Sequence, residues 1–241
     1  MRSILDLPRL ADDPGAPFPP TSQALSSPNG LLAWGGDLHP RRLLAAYRAG
    51  IFPWYSEGQP VLWWSPAPRC VLVPGEVYLS RRTRRRYNSG RYRLSLDQAF
   101  AEVMAACAEP RSGESGTWIT RDMLRAYRQL HEQGAAHSLE VWEGDELAGG
   151  IYGLSLGSVF FGESMFSRRT DGSKLALVAL CRLLVRWGFA LLDCQVGNPH
   201  LYRMGAQEIT REGFELTLAR NVDRPPSPRA WRESADFEDR W

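Results

Sequence analysis

The chain has 241 residues, of which 44% are hydrophobic and 23% charged, which is typical of a globular protein with a substantial core. A net charge of +2 is too small for overall charge alone to imply binding to a polyanion. No apolar run is long enough to span a membrane. Four dispersed cysteines without a C-x-x-C pair indicate neither a zinc site nor a disulfide framework. Reduced thiols and the lack of a signal-peptide core predict a cytoplasmic protein.

The first part of the chain is predicted to form a small domain. Residues 1–30 are rich in Pro, Ser and Asp and predict extended surface chain. Pro40 in a first turn and Gly50 just past the last apolar residue predict one short helix. The Pro-interrupted segment 50–66 contains five aromatic residues, which predict either an aromatic core or rings that stack on a nucleic acid base. The Pro-rich stretch near Ser65 to Arg69 predicts a boundary between residues 1–68 and residues 69–241.

An arginine-rich helix is predicted soon after this boundary. Ser80 is a candidate N-cap, and five arginines follow within residues 81–86. A charge run of this kind is usually a solvated face. Like charges this close repel one another, however, and a phosphate-backbone partner would explain why they are tolerated. The cluster therefore predicts either a solvated face or a surface that binds nucleic acid.

The later elements alternate between strands and helices. They are predicted at residues 70–73, 92–96, 97–107, 120–134, 137–143, 146–154, 160–167, 175–187, 191–196, 199–204 and 212–220. Asp97, Thr120 and Ser173 are the predicted N-caps of three of the helices. Residues 109–116 predict a loop, and the tail from about residue 221 predicts loosely ordered chain. This order of elements predicts a mixed α/β fold.

Two predicted strands carry acids among apolar residues. In the segment 160–167, a period of two places Phe161, Glu163 and Met165 on one face. In the segment 191–196, Asp193 and Gln195 share a face in the same way. A carboxylate among apolar residues is costly to desolvate unless a cation or a donor meets it. The pattern predicts either an apolar pocket with a few aimed polar groups, or two core strands whose polar residues cap neighbouring loops.

Several longer motifs resemble one family, the bacterial leucyl/phenylalanyl-tRNA–protein transferases. The motifs are PNGLLA (28–33), GGDL (35–38), YRAGIFPW (47–54), WWSP (63–66), GTWIT (116–120), GESMFS (162–167), SK (173–174) and DCQ (193–195). They occur in the order that the family has, and they cover most of residues 28–200. Long motifs of unusual composition in series are a far more specific signal than one short motif.

The resemblance implies a fold, an activity and partners. It implies a small N-terminal domain joined to an acetyltransferase-like (GNAT) domain with a mixed sheet. The implied activity moves Leu, Phe or Met from the 3′ end of aminoacyl-tRNA to the α-amino group of proteins that begin with Arg or Lys. This transfer would mark those proteins for degradation through the bacterial N-degron pathway. No metal and no organic cofactor are expected, and a monomer is expected.

The chemistry of this reaction suits the acidic strands. Aminoacyl-tRNA carries an activated ester, so the attacking amine must be neutral and aligned, and the developing oxyanion needs donors. With a pKa of about 7.7–8.0, an α-amino group needs only modest help from a base. We expect Asp193 to accept a proton or act as an electrostatic anchor, and Gln195 to orient the amine or donate to the oxyanion. Glu163 is expected to meet either the acceptor's positive end or the amino group of the aminoacyl moiety.

The remaining expected site residues bind the aminoacyl side chain, the terminal adenosine or the tRNA phosphates. They are Ser164, Met165, Phe166, Ile151, Leu177 and Leu180 for substrate, Trp54 and Trp118 for the adenosine, and Arg81, Arg82, Arg84 and Arg85 for the acceptor stem. The family often has Met near position 151 and Phe near position 180, so the shape of this pocket is expected to differ.

Three other functions remain open. An acyl-CoA-dependent N-acyltransferase of the same fold would need a Gly- and Arg-rich pyrophosphate loop, and residues 168–173 contain one Gly. A relative that adds amino acids to a cell-wall peptide would make the family motifs a coincidence. A non-catalytic RNA-binding module would explain the arginines and the tryptophans alone.

Overall fold

The computed structural model describes residues 7–110 and 117–232, and there eleven strands and seven α-helices form the predicted mixed α/β fold. The strands are β1 (Arg9–Leu10), β2 (Leu31–Gly35), β3 (Phe52–Pro53), β4 (Leu62–Trp64), β5 (Arg69–Leu72), β6 (Arg93–Leu96), β7 (Ala136–Glu143), β8 (Glu146–Leu156), β9 (Val159–Ser167), β10 (Leu191–Gln195) and β11 (Gln207–Ile209). The helices are α1 (Pro40–Arg48), α2 (Arg81–Tyr87), α3 (Phe100–Ala108), α4 (Arg121–Glu132), α5 (Gly172–Arg186), α6 (Pro199–Arg203) and α7 (Arg211–Asn221).

The strands form two sheets that draw on different parts of the chain. The smaller sheet has the order β1-β2-β4-β3, and the larger has the order β11-β5-β10-β9-β8-β7-β6. In the larger sheet, β9 and β10 are parallel and every other neighbouring pair is antiparallel. Strands before residue 68 build one sheet and strands after it build the other. A division into two domains at this point stays a prediction, because one apolar core contains residues from both parts.

Helices cover both faces of the larger sheet. One apolar core joins α1, α3 and α4 to the smaller sheet and to one face of the larger one. A second core lies on the opposite face, where α5 packs on β7, β8 and β9 and α2 packs on α5. Because both faces are covered, the central strands β8 and β9 are mainly apolar rather than alternating.

Helix caps agree with the sequence in some places and depart from it in others. The side chains of Ser80 and Thr120 accept hydrogen bonds from the third residue of their helices, as predicted. Asp97 is not a cap, because α3 begins only at Phe100 and the Asp97 carboxylate binds the backbone N–H of Ser138 instead. The predicted cap at Ser173 is also wrong.

Helix α5 in fact begins at Gly172, one residue before Ser173, and Asp171 takes the N-cap position with a left-handed backbone (φ 67°). The Ser167 side chain at the end of β9 accepts the N–H of Ser173, at 2.7 Å. The start of α5 is thus tied directly to β9.

Both ends of the described chain are better packed than composition predicts. Leu10 in β1 is buried in the first core, although extended surface chain was predicted there. In the tail, Trp231 stacks on His137 with ring centres 4.0 Å apart and also contacts Phe160 and Trp187. The predicted loose tail is therefore wrong for this segment, since an aromatic side chain anchors it. Predictions for residues 1–6, 111–116 and 233–241 lie outside the described ranges. Among the described residues, no helix is both long and apolar enough to cross a membrane.

Candidate active site

A cavity of about 850 Å³ opens where β9 and β10 separate. The two strands pair in parallel only from Val159 to Phe161 and from Leu191 to Asp193. Beyond these residues, the later part of β9 and the segment from Cys194 to Leu201 form two of the cavity walls. The end of α3, the start of α5 and the aromatic segment before β4 contribute the others. Strand separation thus exposes the polar residues that the sequence singles out.

A β-bulge at Glu163 determines which way the residues of β9 point. Ser164 pairs with Tyr152 and Gly162 with Gly153, so Glu163 is the extra residue that has no partner on β8. The bulge interrupts the alternation predicted from the sequence. Glu163 still lies on the face of Phe161, but the following residues exchange faces.

Met165 and Phe166 show this exchange. Met165 pairs with Ile151 and packs against the core on the α5 side, whereas Phe166 belongs to the core on the α3 side. The prediction that Met165 shares a face with Phe161 and Glu163 is therefore wrong, because period-two alternation assumes a strand without a bulge. Both residues line the cavity, from opposite faces of the sheet.

Glu163 is the polar centre of the cavity. Its Oε1 accepts hydrogen bonds from the Tyr47 hydroxyl (2.7 Å) and from Nε2 of Gln195 (2.7 Å), and its Oε2 accepts one from the Tyr127 hydroxyl (3.0 Å). Burial raises the pKa of Glu163 to about 7, although these three donors favour the charged form. A carboxyl group with such a pKa can take up or release a proton near neutral pH.

Gln195 is held in place by a second bulge, on β10. Asp193 pairs with Val71 and Gln195 with Cys70, so Cys194 is the extra residue. Gln195 has a left-handed backbone (φ 62°), which is unusual for a residue other than glycine. This turn sends its side chain across the gap to Glu163. Among the described residues, no donor binds Oε1 of Gln195, so this oxygen is available to a ligand.

Asp193 lies behind the cavity wall, where it is fully buried. Its two carboxylate oxygens accept from Nε (2.8 Å) and Nη2 (2.6 Å) of Arg69, and Oδ1 also accepts the N–H of Gln195 (2.9 Å). The guanidinium carbon of Arg69 in turn lies 4.8 Å from the ring centre of Phe52 and 4.6 Å from that of Phe214. This geometry disfavours direct proton transfer to Asp193, because its oxygens are occupied and it does not reach the cavity. It agrees with the alternative role of electrostatic anchor for the Gln195 backbone.

The expected substrate-binding residues are largely brought together. Ile151, Met165 and Leu177 line the α5 side of the cavity, with Leu192 beside them. Leu180 is buried one turn along α5 but does not reach the cavity. Ser164 lines the cavity, and its buried hydroxyl has no hydrogen-bond partner among the described residues.

Two tryptophans predicted to contact a nucleotide also border the cavity. Trp54 is 43% exposed, and its backbone oxygen accepts a hydrogen bond from the indole N–H of Trp64. Trp118 is partly buried on the same cavity. Indole rings on a cavity wall offer surfaces on which a base can stack.

The predicted arginine surface lies next to the cavity rather than inside it. Arg81, Arg82, Arg84 and Arg85 are exposed on α2. Arg86 forms an ion pair with Asp171, the residue that precedes α5, and Ser173 in the first turn of α5 lines the cavity. This ion pair ties α2 to the start of α5, whose first turn borders the cavity.

Three residues of this arrangement were missed by sequence reasoning. Tyr47 and Tyr127 are fully buried and read as apolar-face positions of α1 and α4. Their hydroxyl groups contact each other and both reach Glu163. Arg69 was assigned only to a domain boundary. No spacing in the sequence indicates these contacts, which join residues 36 to 124 positions apart.

Comparison with known proteins gives the class of this chain. The family model "Leucyl/phenylalanyl-tRNA protein transferase" matches residues 71–219, and the model of the N-terminal domain of the same family matches residues 36–67. A leucyl/phenylalanyl-tRNA–protein transferase of Stutzerimonas stutzeri is 58% identical over 215 residues, 89% of this chain and 95% of that protein. One of Alkalilimnicola ehrlichii is 53% identical over 227 residues, 94% of this chain and 88% of that protein.

A solved structure of a GCN5-related N-acetyltransferase from Kribbella flavida aligns with 68% of this chain and 58% of that chain, at 10% identity and a TM-score of 0.37. The sequence matches define the protein as an aminoacyl-tRNA-dependent transferase. More narrowly, the chain belongs to the leucyl/phenylalanyl-tRNA–protein transferase family.

Proposed function

We propose that this enzyme transfers Leu, Phe or Met from aminoacyl-tRNA to the α-amino group of proteins that begin with Arg or Lys. The observation that carries the proposal is the Glu163–Gln195 pair, which places a carboxyl group and an amide in one cavity with an apolar wall. Family membership supports the donor and the protein acceptor. The modified proteins would then enter an N-degron degradation pathway in the cytoplasm.

The reaction replaces an ester with an amide. The acceptor's α-amino nitrogen attacks the ester carbonyl carbon, the bond from that carbon to the terminal ribose oxygen breaks, and the amine's proton leaves. A carboxylate has about four lone-pair sites, and three of those on Glu163 are occupied by Tyr47, Tyr127 and Gln195. The fourth site can take the amine's proton, and a pKa near 7 suits this task. The protonated Glu163 then gives this proton to the ribose oxygen as it leaves, which regenerates the carboxylate.

Gln195 and Asp193 act as orienting groups in this proposal. Because Nε2 of Gln195 is bound to Glu163, its Oε1 can accept an N–H of the attacking amine. Asp193 holds the backbone of Gln195 through its own pairing with Arg69. The ester is already activated, so the reaction needs no metal and no organic cofactor.

The substrates are proposed to lie along the surfaces described above. Ile151, Met165 and Leu177 form an apolar wall for an unbranched or γ-branched side chain, and Met adapts to more than one shape. Trp54 and Trp118 would contact the terminal adenosine, and the arginines of α2 would bind acceptor-stem phosphates without reading sequence. We propose a monomer with a small domain of residues 1–68 and a catalytic domain of residues 69–241.

The test incubates the protein with radiolabelled Leu-tRNA and a protein that begins with Arg. Label incorporated at the α-amino group supports the proposal. Binding of Leu-tRNA without incorporation would instead favour an RNA-binding module. Acylation that requires an acyl-CoA donor would favour an N-acyltransferase of the same fold.

A further inference from the structure

An ion pair borders the cavity on the side opposite the apolar wall. Glu109 directly follows α3 and pairs with Arg168, which follows β9, and both line the cavity. Their side chains are 56% and 47% exposed, so both are open to exchange with solvent and ligand. The guanidinium carbon of Arg168 lies 5.6 Å from the ring centre of Phe166. A protein guanidinium is thus already bound here, between a carboxylate and an aromatic ring.

The position of Glu109 is unfavourable without a cation. A carboxylate at the C-terminal end of a helix faces the negative end of the helix dipole. Glu109 occupies the C-cap position of α3, and its carboxylate has no donor to offer the last carbonyl groups of that helix. A cation beside Glu109 relieves this repulsion, and the site therefore favours positively charged groups.

The proposed acceptors carry a cationic first side chain that needs a partner in the cavity. Among the described cavity residues, Glu109 and Glu163 are the two carboxylates. Glu163 accepts three hydrogen bonds and has one remaining lone-pair site, so it cannot bind a guanidinium through two parallel bonds. Its pKa of about 7 also means that it is partly neutral at the pH where the reaction proceeds. Among the described residues, Glu109 accepts a hydrogen bond from Arg168 alone, and once Arg168 moves aside its carboxylate can bind a guanidinium through two parallel bonds.

We propose that Glu109 is the specificity-determining residue that binds the side-chain cation of the acceptor's N-terminal Arg or Lys, and that Arg168 occupies this site until the acceptor displaces it. The inference rests on the proposed function. Phe166 follows Glu163 by three residues, at most about 10 Å along the strand at roughly 3.3 Å per residue, because the bulge at Glu163 shortens the path. An arginyl residue with a hydrogen bond of about 3 Å at either end spans this distance.

This arrangement separates the two substrates on the two faces of β9. The donor's apolar side chain lies on the α5 side against Ile151 and Met165, and the acceptor's cation lies on the α3 side against Phe166. Arg168 adds selectivity, because an acceptor must break the Glu109–Arg168 ion pair to bind, and only a cationic side chain forms an equivalent ion pair with Glu109. An acceptor with a neutral first side chain leaves the Glu109–Arg168 ion pair intact.

The experiment compares two peptides that differ only in charge, one beginning with Arg and one with citrulline. Steady-state transfer from Leu-tRNA is measured for wild type, Glu109→Gln, Arg168→Ala and the control Arg169→Ala. Arg169 is the next exposed arginine, and its partners Glu143 and Glu146 lie outside the cavity. The KM for Leu-tRNA is measured in parallel, and thermal unfolding checks that each variant is folded.

We expect Glu109→Gln to raise the KM for the Arg peptide about tenfold, as for a lost charge-assisted hydrogen bond, and to reduce the preference over citrulline. Arg168→Ala should lower the KM for the Arg peptide, because the competing cation is gone. Arg169→Ala should behave as wild type. The KM for Leu-tRNA should change in none of them.

An unchanged Arg-to-citrulline ratio in Glu109→Gln overturns the inference, as does a raised Arg-peptide KM in Arg168→Ala. A raised Leu-tRNA KM in Arg168→Ala assigns that arginine to phosphate binding and also overturns it. Absence of transfer by the wild-type protein contradicts the proposed function instead, so the two failures are distinguishable.

Discussion

Gln195 donates a hydrogen bond from Nε2 to Oε1 of Glu163 over 2.7 Å, across the gap where β9 and β10 stop pairing. Each residue lies at a β-bulge of its own strand. In a sheet with regular pairing, side chains stand above and below the sheet, so these two would not meet across the space between two strands. The two bulges instead bring an amide and a carboxyl group to the same point of a cavity, where one orients the other.

The first prediction concerns the pH dependence of transfer. Glu163 accepts a proton only when it is ionised, so turnover should rise as pH increases through about 7. Glu163→Gln should lower turnover by about 10²-fold or more and abolish this rise. The acceptor amine titrates as well, at a pKa of about 7.7–8.0, but its contribution is common to both proteins. Rates from pH 5.5 to 9 with one peptide test this.

Tyr47→Phe provides a second check on the same group. The Tyr47 hydroxyl stabilises the charged form of Glu163 and so lowers its pKa. Its removal should move the rise in turnover to higher pH. A Glu163→Gln enzyme with the wild-type pH profile would exclude Glu163 as the titrating group.

The same pKa predicts a change in stability with pH. Glu163 titrates at about 7 in the folded protein, above the ordinary value of 4.5, so the folded state holds the proton more tightly. Its contribution to stability is complete below about pH 4.5 and is lost as pH rises through 7. The free energy of unfolding of Glu163→Gln relative to wild type should therefore increase between pH 5 and pH 8. The increase should be at most about 3 kcal/mol, at 1.36 kcal/mol per pKa unit. Denaturant unfolding of the two proteins at pH 5 and at pH 8 measures the stability difference. The same difference at both pH values would contradict the raised pKa.

The elements of this fold were easier to predict than their contacts. Ser80 and Thr120 act as caps because an N-cap depends on local hydrogen bonds that the sequence carries. Period-two alternation gave the correct strand but the wrong face for Met165, since a bulge depends on pairing with another strand. The family motifs located Glu163, Asp193 and Gln195 together, and the structure adds which of them reaches the cavity.

Contacts across long sequence separations could not be predicted from periodicity. Tyr47 and Tyr127 satisfy the apolar pattern of their helices, and only the packing of α1 against α4 brings their hydroxyls to Glu163. The partner of Asp193 is Arg69, in a segment where proline suggested only a boundary. A buried acid implies that a cation exists, but its position follows from the sheet order.

The buried pair of Arg69 and Asp193 should be strongly coupled. Arg69→Met or Asp193→Leu alone leaves one buried charge without its partner and should cost about 3–5 kcal/mol of the free energy of unfolding. The double variant should lose less than the sum of the two, because it leaves no unpaired charge. Thermal unfolding of the four proteins gives the coupling. Additive losses would show that the pair is not the main stabilising contact of either residue.

The apolar wall predicts a change in amino acid preference. Leu177→Ala enlarges the cavity beside Met165 and should raise transfer of Phe relative to Leu, by about tenfold in the ratio of kcat/KM. Leu180→Ala is the matched control, since Leu180 is buried on the same helix but does not line the cavity. It should cost about 2–5 kcal/mol of stability without changing the ratio. Competition between Leu-tRNA and Phe-tRNA measures the ratio of kcat/KM for the two donors. An altered ratio in Leu180→Ala would place Leu180 in the pocket.

We expect the exposed arginines of α2 to contribute to tRNA binding through charge, so added salt should weaken their contribution. Arg84→Ala with Arg85→Ala removes two phosphate contacts, so it should weaken Leu-tRNA binding and reduce the slope of log affinity against log salt by about 1.5. Turnover of a short adenosine–amino acid ester should be unchanged, because that substrate carries no acceptor stem. Arg125→Ala with Arg128→Ala removes the same charge from exposed positions of α4 and is the control. An equal loss with both substrates, or the same salt slope in the two double variants, would contradict a specific role for α2.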